Sequence, residues 1–156
     1  MKIEKIVGRV TTLGDNIGKN VNNSSVTFYT YIELDGGRTV TNLRSILGVD
    51  GHLRKAYETD ERVELHLATG GGIENGATLL VAIRREDGRI FAIKGRKQGG
   101  IAIIVYLMLT FFGIITLPLL GLGLIFLIFA YTSWKKNSVD GDIYSYVAGL
   151  PGAVVL

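Results

Sequence analysis

Residues 101–131 read IAIIVYLMLTFFGIITLPLLGLGLIFLIFAY, without one Asp, Glu, Lys, Arg or His. An uncharged run that long has no obvious place in the core of a small domain, and its length alone predicts a membrane segment. As one straight helix it would span roughly 46 Å, against about 30 Å of bilayer hydrocarbon. Pro118, near the middle, interrupts helical hydrogen bonding. The spacing therefore favours a hairpin, with arms 101–117 and 119–134 turning at Pro118, over a single kinked helix or a buried helix pair. Gly113, Gly121 and Gly123 would let the arms approach closely.

The flanks carry the orientation signal. Arg84, Arg85, Arg89, Lys94, Arg96 and Lys97 precede the run, and Lys135 and Lys136 follow it. With Tyr131 and Trp134 these residues are the expected contacts to a membrane surface. Two basic flanks place both ends of a hairpin, and residues 1–95 with them, on the cytoplasmic side of a plasma or inner membrane. Residues 96–100 read as a basic hinge and 135–156 as a tail.

Upstream, the pattern is that of short strands. Lys2–Leu13 alternates, with a phase slip near Gly8, and residues 14–25 read as a polar Gly/Asn/Ser loop. SVTFYTYIEL, residues 25–34, is the clearest strand: Val26, Phe28, Thr30, Ile32 and Leu34 share one face, Thr27, Tyr29, Tyr31 and Glu33 the other. Asp35-Gly36-Gly37 turns the chain into a partner strand over Arg38–Ile46. A short helix comes next over Val49–Asp60, with Asp50 as a cap. Arg62–Ala68, Thr78–Arg85 and Arg89–Lys94 complete the set, the last two turned by Asp87-Gly88. A helix between the third and fourth strands is the placement found in OB-type barrels, and an SH3-like barrel is the alternative. The expected fold class is thus an α+β membrane protein: a small β-barrel-like domain with a C-terminal transmembrane helical hairpin.

Composition narrows the chemistry. The chain has no Cys, which removes disulfides, thiol catalysis and Cys-ligated metals. Its net charge of +3 is too small for a dedicated nucleic-acid domain. His52 and His66, the two histidines, lack metal-ligand spacing, and the His66 phase puts it outward with Arg62 and Glu64. Gly70-Gly71-Gly72 lacks a Walker context and reads as a loop; Glu58, Asp60 and Glu61 read as a solvated turn. No catalytic residue, cofactor or metal site is expected.

Tyr29 and Tyr31, with Arg44 on the paired strand, form the one candidate partner-binding face. The expected role is a membrane-anchored, non-enzymatic interaction or regulatory module. Its expected partners are the lipid bilayer and either a second copy or another protein. An oligomeric pore or transport-complex subunit is a first alternative, weakened because only Thr110, Thr116 and Thr132 could line a channel. A membrane-tethered binder of single-stranded nucleic acid is a second, disfavoured by the low charge.

Overall fold

The computed structural model describes residues 1–21, 24–70, 73, 76–97, 99–116 and 122–156. In chain order the elements are β1 (Lys2–Leu13), β2 (Asn16–Val21), β3 (Ser24–Leu34), β4 (Arg38–Ile46), α1 (Leu47–Glu58), β5 (Arg62–Thr69), β6 (Thr78–Arg84), β7 (Ile90–Ala92), α2 (Gly100–Thr116), α3 (Leu122–Ala148) and β8 (Ala153–Val155). They form two units. The first comprises Met1–Lys94 with Tyr146–Leu156, and the second Gly95–Ser145.

In the first unit five strands close a barrel. β1 runs antiparallel to both β3 and β5, β3 pairs with β4, and β5 with β6. A parallel contact between β4 and β6, at Leu43↔Thr78 and Arg44↔Leu79, completes the circuit. That order, with α1 between the third and fourth barrel strands, is consistent with an OB-like barrel. The core is built from Val10, Tyr29, Ile32, Leu34, Leu43, Leu65, Leu80 and Ile83, all buried. α1 contributes Val49, Asp50, Leu53 and Ala56.

β3 departs from simple alternation. Thr27 and Tyr29 are buried, but so are Ile32 and Leu34, so the inward phase slips at Thr30–Tyr31. The strand serves two neighbours: its first half pairs with β2 and its end with β1. The chain bends between them, held by Gly14 N–H to Tyr31 O and Thr30 N–H to Asp15 O, each 3.0 Å. A Cβ on Gly14 would lie 2.8 Å from the Tyr31 ring, so only glycine fits under the bend. The same contacts make residues 16–21 a strand, not the expected loop. Local polarity favoured a loop there, but hydrogen bonding to β3 prevails.

The second unit is a helix pair. The less exposed positions of α2 are Ala102, Tyr106, Leu109, Gly113 and Thr116, at alternating spacings of four and three. On the first half of α3 they are Gly123, Leu127, Ala130 and Ser133. Tyr106 Oη donates to Ser133 O at 3.4 Å. A Cβ on Gly113 would lie 2.9 Å from Leu127 and 3.2 Å from Gly123 O, so small residues form an antiparallel seam. The other faces carry large apolar side chains, Ile104, Leu107, Phe111, Ile114 and Phe129 among them, each more than half exposed.

The transmembrane reading does not hold. Among the described residues no helix is long and apolar enough to cross a membrane. α2 has 17 residues, about 25 Å of helix against about 30 Å of hydrocarbon. α3 is longer, but Lys135, Lys136, Asp140 and Asp142 occupy its second half. The transmembrane hairpin is therefore corrected to a helix pair. The integral-membrane placement and the cytoplasm-facing orientation of the barrel, both derived from that hairpin, fall with it. Pro118, the expected turn, lies outside the described residues.

Candidate functional site

A groove of about 330 Å³ opens on the β3–β4 face of the barrel. Phe28, Tyr29 and Thr30 of β3 and Asn42, Leu43 and Arg44 of β4 form its floor. Asp15 and Ile17 supply one wall, and Ala77, from the connection between β5 and β6, the other. The groove thus lies across the second and third barrel strands, between two connections.

Its chemistry centres on Phe28. The bend in β3 turns this half-buried ring outward and Tyr29 inward. Phe28 and Arg44 are direct cross-strand partners. The Arg44 guanidinium carbon lies 5.2 Å from the ring centroid, and Lys19 Nζ, from β2, lies 5.8 Å from it. Both distances are those of cation–π contacts. The rest of the lining is mixed. Ile17 is 62 % exposed, and Asn42 takes a left-handed backbone (φ 51°) while its amide donates to Gly76 O at 3.3 Å. A non-glycine residue in that region is uncommon and is often found where a site is shaped.

Behind the groove a buried polar cluster fixes the floor. Asp50 accepts from Tyr29 Oη (2.8 Å), Thr27 Oγ1 (3.1 Å) and Arg54 Nε (2.9 Å). Arg54 also reaches Asn16 Oδ1 at 3.4 Å, tying α1 to the β2 wall. Burial, reinforced by the Asp50 carboxylate, pushes the Tyr29 phenol far above its ordinary pKa. Asp50 is therefore a hub within the first turn of α1 and not the expected cap, since the helix begins at Leu47.

Of the three residues expected to form a partner-binding face, Tyr29 and Arg44 both line the groove and Tyr31 does not. Arg44 lies in the groove, Tyr29 turns inward to Asp50, and Tyr31 lies exposed over Gly14. Phe28, Lys19, Asp15, Ile17 and Asn42 do not stand out in the sequence. The one available signal is the pairing of an aromatic with an arginine directly across two strands, which strict alternation assigns to the core.

The basic residues before the helices are partly structural. Arg85 forms a bidentate pair with Glu61 (Nε to the two oxygens at 3.1 and 3.0 Å), both side chains largely buried. The Arg85 guanidinium holds the Glu61 carboxyl below its usual range. Arg84 pairs with Glu64 (3.3 Å) and Arg89 with Asp87 (3.6 Å). Lys94, Arg96, Lys97, Tyr131, Trp134 and Lys135 are exposed.

His66 is fully buried, contrary to its expected outward phase. Tyr146 covers it, with Oη 2.8 Å from Nδ1. Its Nε2 lies 3.1 Å from Glu64 Oε1 but off the line of a hydrogen bond. Burial holds His66 below the usual histidine pKa, with Glu64 pulling the other way. His52, stacked on Phe91 with ring centroids 3.5 Å apart, is also lowered, chiefly by burial. Among the described residues no three His, Asp or Glu side chains are grouped to hold a metal ion.

No protein-family model, curated protein or solved structure matches this chain. An OB-like barrel does not by itself specify an activity.

Proposed function

We propose that this chain is a non-enzymatic interaction module whose barrel binds a partner in the β3–β4 groove. One observation carries the reading: the half-buried Phe28 ring has two cations within cation–π distance, on a floor braced from behind by Asp50. An aromatic surface held rigid by buried hydrogen bonds is a preorganised contact, which reduces the ordering cost of binding. The test is saturation-transfer NMR with a library of small aromatic and anionic fragments on the full chain. Fragments should bind the native protein and lose signal on Phe28→Leu with the fold retained. Fragment binding that ignores Phe28→Leu refutes the groove.

A second observation favours self-association through the helix pair. Among the described residues, sixteen large apolar side chains on α2 and the first half of α3 are 40–66 % exposed. At about 100 Å² each they leave more than 1,000 Å² bare, beyond what monomers usually expose and above the ~800 Å² one partner gives a standard interface. The surface carries no charge that would select a different partner, so a second copy is the occupant proposed. Sedimentation without detergent should give a discrete oligomer that Phe111→Lys with Phe129→Lys dissociates. A monomer, or protein recovered only on lipid vesicles, refutes it.

A further inference from the structure

We propose that the ligand of the β3–β4 groove is a short single strand of nucleic acid, with a base stacked at Phe28 and phosphates engaged by Lys19 and Arg44. This deepens the groove reading above and rests on it. Three observations support the ligand class. A π-surface flanked by positive charge matches the alternation of base and phosphate along a single strand, and such stacking tolerates any base. The two cations come from different strands, Lys19 from β2 and Arg44 from β4, and meet over one ring. The remaining polar lining, Thr30, Asn42 and Asp15, offers hydroxyl, amide and carboxylate groups to base edges.

The volume sets the scale. At about 330 Å³ the groove is at the small end of ligand sites, so it engages one or two nucleotides, not a long tract. The whole-chain charge of +3 averages over the fold and does not describe the groove. Asp15 limits the arrangement: a phosphate must track the Arg44–Lys19 side, with Asp15 facing base amino groups. An acidic aromatic peptide could also use the cations and the ring. It lacks the regular alternation of flat surface and charge along a single strand.

The test is fluorescence anisotropy with the full chain, kept dispersed in non-ionic detergent, titrated into labelled dT8, U8, a dT8·dA8 duplex and a Glu/Tyr peptide. The single strands should bind and the duplex should bind weakly. Two phosphate contacts predict a log–log salt slope near −1.4, about 25-fold weaker binding over a tenfold rise in salt. Phe28→Leu should weaken binding roughly 5- to 150-fold, while Phe28→Trp retains it. Lys19→Ala, a surface change that keeps the test valid should Phe28→Leu misfold, should flatten the slope by about 0.7. Absence of single-strand binding at low salt overturns the proposal, as does binding indifferent to both Phe28→Leu and Lys19→Ala. Preference for the Glu/Tyr peptide overturns the nucleic-acid assignment. Where oligonucleotides fail but fragments still bind in a Phe28-dependent way, the ligand class falls and the groove reading stands.

Discussion

Asp50→Ala removes the acceptor that organises the groove floor. The variant leaves Tyr29 Oη and Thr27 Oγ1 without their partner, and their residues are only 1 % and 6 % exposed. Each buried hydroxyl left unpaired costs about 1–3 kcal/mol. Arg54, whose side chain is 45 % exposed, can turn to water and adds little. The expected loss is about 2–6 kcal/mol, a large part of a stability on the order of 5–15 kcal/mol. At about 3 kcal/mol the melting temperature falls by roughly 12–24 °C. The assay is a urea and thermal melt by circular dichroism, run as a double-mutant cycle with Tyr29→Phe. In the native background Tyr29→Phe should destabilise by about 1 kcal/mol. In the Asp50→Ala background it should stabilise, because it removes the stranded hydroxyl. A loss below about 0.5 kcal/mol for Asp50→Ala, or strict additivity in the cycle, would refute the hub.

Burial lowers the folded-state pKa of His66 and His52 below the ordinary 6.5, so the unfolded chain takes up more protons in mild acid. Stability should be full above about pH 6.5 and decline as the pH falls below it; a urea midpoint at pH 5 no lower than at pH 8 would count against this. Below the ordinary Glu pKa of 4.5 a second decline begins as the depressed Glu61 carboxyl protonates, and Glu61→Gln should remove it from the same titration. Arg85→Met strands a largely buried Glu61 and should cost about 2–4 kcal/mol in urea melts, less in combination with Glu61→Gln. Gly48→Val places side-chain atoms where Leu156 packs, since a Cβ on Gly48 would lie 2.8 Å from the Leu156 Cβ. It should speed hydrogen exchange at the Leu156 amide, which donates to Ala92 O at 2.9 Å, while β1–β5 amides stay protected.

The barrel is legible in sequence wherever local signals are strong. Asp35-Gly36-Gly37 carries the positive φ angles its hairpin demands, at Gly36 and Gly37. The helix between barrel strands is visible from its apolar spacing. The groove is not legible, because its key event is the slip of β3 at Thr30–Tyr31, which depends on Gly14 and two different strand neighbours. Strict alternation therefore puts Phe28 inside and Tyr29 outside. His66 escapes the pattern for a related reason: its cover, Tyr146, is 80 positions away. The apolar run is unusual in composition, but among the described residues no helix is long and apolar enough to cross a membrane.

The most direct measurement is a backbone amide shift map of the full chain, labelled with 15N and titrated with a fragment from the screen. Shifts should gather at Ile17, Phe28, Asn42, Arg44 and Ala77, around one groove. Shifts gathered instead around His52 and Phe91, or spread without focus, would contradict the groove reading.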